Sequence, residues 1–110
     1  MNIPFSPPDI TEEEIEAVAE VMRSGWITTG PKTKELERKM AEFTHTNRGV
    51  CLNSATSCME MALRLFEIGP GDEVIVPAYT YTASASVVCH VGATLRLVDV
   101  EKGTFHIDYA

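Results

Sequence analysis

Apolar residues recur at helical spacing in the first third of the chain and gather into short dense runs after residue 48. Ile15, Val18 and Met22 stand at i, i+3 and i+7, which predicts a helix with one apolar stripe. Thr11-Glu12-Glu13-Glu14 reads as its capping box, the Thr11 hydroxyl taking an orphan N–H while Glu14 reaches back. Ile10 and Ile15 occupy the two staple positions around that cap. Three successive glutamates suit the positive end of the helix dipole, so an acidic binding site is not needed to explain them. The helix should stop near Ser24-Gly25, where glycine can adopt the left-handed conformation. A loop, Trp26-Ile27-Thr28-Thr29-Gly30-Pro31, then leads to a second helix from about Lys32 to Phe43. Leu36, Met40 and Phe43 share its apolar face, and its charged side chains read as a solvated face.

The rhythm then changes. Gly49-Val50-Cys51-Leu52 reads as a first short strand, ending in Asn53-Ser54-Ala55-Thr56-Ser57. Cys58, Met61, Ala62 and Leu65 predict a helical stripe, Ile68 to Asp72 a turn, and Glu73 to Pro77 a second strand. A small-residue helix through Val91, a stop at Gly92 and a third strand from Thr94 to Val100 follow. Strands alternating with helices predict parallel βαβ units and hence an α/β fold. The expected division is residues 1–47, helices and loop, and residues 48–110, a βαβαβ segment.

Composition sharpens this only at the margins. With 110 residues, 45% of them hydrophobic and 23% charged, the chain has the mix of a globular protein. A net charge of -7 argues against nucleic acid or an anionic membrane surface as partner, since both demand a positive footprint. The first eight residues do not read as a signal peptide, and no apolar run approaches the ~18 residues of a membrane span. Cys51, Cys58 and Cys89, odd in number and without CxxC spacing, suggest thiols in a reducing cytosol rather than disulfides or a zinc site.

Two junctions could carry chemistry. At Leu52-Asn53-Ser54-Ala55-Thr56-Ser57 a strand delivers the chain to a helix start lined with hydroxyls, where free N–H groups and the dipole favour a phosphate. The same residues serve as an ordinary N-cap, and the local pattern leaves both readings open. Neither GxxxxGK[ST] nor GxGxxG is present. Pro77-Ala78-Tyr79-Thr80-Tyr81-Thr82 lies at the C-terminal end of a strand, the edge at which open α/β sheets bind ligands. An aromatic there can stack on a flat cofactor or simply pack between loop and helix. His45, His90 and His106 show no metal-ligand spacing; His90 reads as a packing residue and Asp99 as a turn-starter.

Taken together, Ser24-Gly25-Trp26-Ile27-Thr28-Thr29-Gly30-Pro31, Asn53-Ser54-Ala55-Thr56, Gly69 to Pro77, and Gly92-Ala93 leading to Val98-Asp99-Val100 resemble the DegT/DnrJ/EryC1/StrS sugar aminotransferases over essentially the whole chain. The resemblance implies the N-terminal part of the large domain of a fold type I pyridoxal-phosphate transferase, a three-layer αβα arrangement with a mostly parallel sheet. It implies transfer of an amino group from an amino-acid donor, usually glutamate, to a nucleotide-linked keto-sugar by a cytoplasmic homodimer. The cofactor would be pyridoxal 5'-phosphate, with Ser54, Ala55 and Thr56 at its phosphate and Tyr81 against its ring. Thr28 and Thr29 would stand on the substrate side. In that family the Schiff-base lysine lies further along, and none of Lys32, Lys34, Lys39 and Lys102 occupies its place. A 110-residue piece is therefore expected to be inactive alone and to associate through uncovered apolar surface. Two alternatives are a dehydratase relative, which uses the same cofactor with histidine in place of the lysine, and a non-catalytic phosphate-binding or dimerising fragment.

Overall fold

Helix α1, Glu12–Ser24, begins where the sequence places its cap. The Thr11 hydroxyl accepts from the Glu13 N–H at 3.3 Å, and Glu14 Oε2 accepts from the Thr11 N–H at 2.7 Å. The helix ends at Gly25, whose φ of 73° only a residue without Cβ adopts freely, and whose N–H donates to the Met22 carbonyl. These elements belong to a computed structural model that describes residues 3, 4 and 6–109. Helix α2, Pro31–Phe43, starts with proline in its first turn, where the missing N–H costs nothing.

The chain divides into two compact units, Met1–Cys51 and Leu52–Ala110. In the first, neither helix buries a residue: the stripes Ile15, Val18, Met22 and Leu36, Met40, Phe43 are present but exposed among the described residues. The polar face of α2 is more than a solvated surface. Glu37 holds Lys34 at 2.9 Å through Oε2, and its Oε1 accepts the Cys51 N–H at 3.1 Å. Gly49 lies so close to α2 that a Cβ there would stand 2.6 Å from the Glu37 carbonyl oxygen. The expected strand over Gly49–Leu52 is therefore absent. With no partner strand among the described residues, the segment finds its hydrogen bond on α2 instead.

The second unit consists of α3 (Ala55–Leu65), β1 (Glu73–Pro77), α4 (Ala83–His90) and β2 (Thr94–Val98). β1 and β2 pair in parallel, with Glu73 opposite Thr94 and Pro77 opposite Val98. The connection between them runs through α4, as parallel pairing requires. Val76, Ala83, Val87, Val88 and Val91 form the core, with Val88 only 1% exposed. α4 packs on both strands and on α3. The turn into β1 is organised by Asp72: its carboxylate accepts the Gly69 N–H at 2.9 Å, and its N–H returns to the Gly69 carbonyl at 3.0 Å. Gly71, at φ 102°, closes that turn, and the Asp72 carbonyl then accepts from Thr94 to begin the strand pairing. The α/β architecture expected from the sequence is the one observed.

Three details differ from the expectation. β2 ends at Val98, and Val100 instead pairs antiparallel with Ile107 across a short excursion. Asp99 does start that turn, accepting the Val100 N–H on its own carboxylate at 2.8 Å. On α3 the predicted stripe of Cys58, Met61, Ala62 and Leu65 is largely exposed, while Met59 and Leu63 turn inward. The helix carries apolar side chains on more than one face, so periodicity alone cannot choose between them. No helix among the described residues is long and apolar enough to cross a membrane.

Candidate functional site

Ser54 caps α3 in extended conformation, its hydroxyl accepting the Ser57 N–H at 3.1 Å and donating to the Ser57 hydroxyl at 3.0 Å. The Ser54 carbonyl accepts from the Cys58 N–H, the first bond of the helix proper. Between these, the N–H groups of Ala55 and Thr56 have no acceptor among the described residues. Both point along the helix start, where the dipole leaves a partial positive charge. The contrast with α1 is informative. Three glutamates answer the dipole of α1, whereas the first turn of α3 holds no acidic side chain. What α3 presents is a pair of open N–H donors beside the half-buried Thr56, a neutral set that complements a phosphate and would repel nothing anionic.

The second junction follows β1. Ala78 extends the strand pairing by donating to the Val98 carbonyl at 2.8 Å, and the chain then turns through Tyr79-Thr80-Tyr81-Thr82 into α4. The two tyrosines behave differently. Tyr79 stacks on Phe105, ring centroids 5.1 Å apart and planes inclined by 18°. Tyr81 is 82% exposed, its carbonyl accepting from Ser84. A free aromatic face thus stands at the C-terminal end of a parallel strand, the edge at which such sheets receive ligands. The Tyr79–Phe105 pair was not anticipated; the two aromatics of the Tyr79-Thr80-Tyr81 run were the available signal.

In the Met1–Cys51 unit the Trp26 loop is ordered by its own residues. The indole Nε1 donates to the Thr29 carbonyl at 3.1 Å, and Trp26, Ile27, Thr28 and Gly30 line a cleft of about 500 Å³ with Val21 and Thr33. Thr28 faces that cleft, while Thr29 contributes its carbonyl to holding the indole. The lysines here are engaged. Lys34 bonds Glu37 at 2.9 Å, Lys39 bonds Glu35 at 2.7 Å, and Lys32 approaches Glu35 at 3.8 Å.

His90 is not the packing residue that its apolar helix suggested. It is half exposed at the end of α4, with Nδ1 2.9 Å from Glu60 Oε2 on α3. Glu60 also takes Nε and Nη2 of Arg64 on its other oxygen, at 2.9 and 2.7 Å. The Arg64 guanidinium first, and the His90 imidazole second, hold the Glu60 carboxyl below the usual carboxylate range.

The open helix start and the free aromatic at one strand edge stand in an α/β unit, and comparison with known proteins identifies its family. The DegT/DnrJ/EryC1/StrS aminotransferase family matches residues 8–110. Spr1654 of Streptococcus pneumoniae, assigned as a sugar aminotransferase, is 65% identical, superposes over 99% of this chain with a TM-score of 0.86, and has been solved in apo, PLP and PMP forms. DesV of S. venezuelae is 38% identical over 88% of the chain, with a TM-score of 0.77. An aminotransferase of Psychrobacter cryohalolentis is 36% identical over 92%, with a TM-score of 0.80. The chain belongs to the DegT/DnrJ/EryC1/StrS aminotransferase family. It spans 26–28% of the length of these solved relatives.

Proposed function

We propose that this chain supplies the phosphate cradle and one ring contact of the cofactor site in a pyridoxal-phosphate-dependent sugar aminotransferase. The observation that carries the reading is the start of α3, with open N–H groups at Ala55 and Thr56, a capping Ser54 and no acid in the first turn. Ala55 and Thr56 hold the phosphate through their N–H groups, Thr56 adds its hydroxyl, and Ser54 keeps the helix start in the geometry that exposes them. Tyr81 lies against the pyridine ring. Bound there, the cofactor supplies the electron sink that amino-group transfer needs; the protein supplies its position and its electrostatic surroundings.

The acceptor in this reading is a nucleotide-linked keto-sugar and the donor an amino acid such as glutamate, in keeping with the 65% identity to a protein assigned as a sugar aminotransferase. Thr28, in the cleft beside Trp26, and Thr29, whose carbonyl holds the indole, stand on the substrate side. In this reading none of the four lysines provides the covalent link to the cofactor, which is supported by three of them lying along α2 among its glutamates and by Lys102 lying in an exposed turn. On that reading the chain by itself does not transaminate. The whole enzyme is a cytosolic homodimer in this reading, supported by the free thiols and by the uncovered stripe on α1.

The test is Thr56→Val in the intact enzyme that carries this segment. Hydrogen bonds to a charged group contribute roughly 1.5–3 kcal/mol, so the cofactor dissociation constant should rise about tenfold or more. An unchanged constant, measured by titration of cofactor absorbance or fluorescence, would remove the Thr56 hydroxyl from the cradle. An unchanged constant in Ala55→Pro as well, which deletes the N–H at the first helical position where proline is tolerated, would rule the cradle out.

A further inference from the structure

Helix α3 opens with the proposed cradle, yet it has no buried residue of its own. Among the described residues the only element it packs on is α4. α4 is firmly seated, with Ala83, Val87 and Val88 buried against the sheet. Beside α3, Met59, Leu63, Val74 and Val87 line an open apolar groove of about 270 Å³, so part of the inner face of the helix is in contact with no neighbour among the described residues. Apolar packing on α4 is therefore only part of what fixes α3 in place. The polar contact that joins the two helices is His90 Nδ1 to Glu60 Oε2, between residues 30 apart in sequence. A carboxylate only accepts, so Nδ1 carries the proton and donates it. Glu60 is itself held in place by the two guanidinium bonds from Arg64, one turn further along α3.

We infer that Glu60 and His90 are positioning residues for the cofactor site, fixing α3 along α4 and thereby the spacing between the Ala55 and Thr56 donors and Tyr81. The inference rests on the cradle proposed above. Tyr81 precedes α4 by two residues and the donors open α3, so a slip of one helix along the other changes the distance between phosphate and ring contacts directly. Neither Glu60 nor His90 needs to touch the cofactor.

The test uses the intact enzyme and titration with pyridoxal phosphate. His90→Ala should raise the dissociation constant about threefold to fivefold, the upper range open to an exposed ion pair. His90→Asn, whose amide N–H stands in the place of Nδ1, should return it to within about twofold of the parent. That rescue distinguishes the bond from the bulk of the ring, which both variants remove. Glu60→Ala should show the same loss, and adding His90→Ala to it should add nothing further. An unchanged constant in His90→Ala, or an Asn variant as weak as the Ala variant, overturns the inference. If His90→Ala gives no folded protein, Glu60→Ala against Glu60→Gln, which keeps an acceptor oxygen, makes the same comparison. A loss in Thr56→Val with none in His90→Ala leaves the cradle standing and removes the positioning role. No loss in either Thr56→Val or Ala55→Pro removes both.

Discussion

The Trp26 indole occupies the space that a side chain on Gly30 would need. A Cβ on Gly30 would stand 2.3 Å from Nε1 and 2.4 Å from Cδ1, far inside contact distance. The backbone there is extended, so the glycine is required by the neighbouring ring rather than by its own φ and ψ. Gly30→Ala should push the indole out, break its bond to the Thr29 carbonyl and open the cleft lined by Thr28. Because the indole is 57% exposed and can swing away, the cost should be about that of its lost hydrogen bond, roughly 0.5–1.5 kcal/mol. The check is thermal unfolding together with near-ultraviolet circular dichroism of the variant, in which an unmoved tryptophan signal would contradict the contact.

Gly25 offers the opposite case. Nothing lies within 4 Å of a Cβ built there, but its φ is 73°. Gly25→Ala should therefore cost only the left-handed conformation, about 1 kcal/mol, and Gly25→Asn should cost less, because asparagine tolerates that region. Equal losses in both variants would point to a steric cause that the structure does not contain. Denaturant titration of the two variants decides.

Acid should loosen both units. Glu14 is held below its ordinary pKa of 4.5 by the Thr11 hydroxyl and then the Thr11 N–H, Glu35 by Lys39, and Glu37 by Lys34 and then the Cys51 N–H. Glu60 and Glu73 are held down in the same way by Arg64 and Arg96. A carboxyl with a depressed folded-state pKa stabilises fully above its unfolded value and loses that contribution as pH falls through the folded one. Stability should therefore be flat above about pH 5 with respect to these groups and decline below about pH 4.5. Because none of the five is buried, the decline should be shallow. For the four whose partner is a cation, Glu35, Glu37, Glu60 and Glu73, it should shrink further in high salt, while the Thr11–Glu14 box should be less affected. A steep loss that ignores ionic strength, followed by circular dichroism across pH, would exclude these pairs as its source.

The parts of the fold that local chemistry determines were legible in the sequence. Thr11 and Glu14 announce α1 because a cap uses residues three apart, and Gly69-Pro70-Gly71-Asp72 announces a turn for the same reason. Strand Gly49–Leu52 was misjudged because a strand exists only with a partner, and here the Cys51 N–H goes to Glu37. The inward face of α3 was missed because Met59, Met61, Leu63 and Leu65 make both faces apolar, so only the neighbouring helix decides. The start of α3 was legible as a helix cap, with Ser54 at the capping position. The His90–Glu60 contact was not, since nothing local links residues 30 positions apart.

Tyr79 and Tyr81 stand two residues apart and should separate stability from cofactor binding. Tyr79 has a partner, Phe105, and a stacked pair contributes about 0.5–1.5 kcal/mol beyond the area it buries. Tyr79→Ala should therefore lower the unfolding temperature. Tyr81, 82% exposed, has little to lose on its own, and Tyr81→Ala should shift stability by no more than about 0.5 kcal/mol. If Tyr81 lies against the cofactor ring, the same substitution should weaken pyridoxal-phosphate binding by up to about tenfold, the range of an aromatic stacking pair. Tyr81→Phe should restore it, because the ring face and not the hydroxyl makes the contact. Measured side by side in the intact enzyme, a Tyr81→Ala variant that melts early but binds cofactor normally would assign that ring to packing, and the cofactor would need another aromatic.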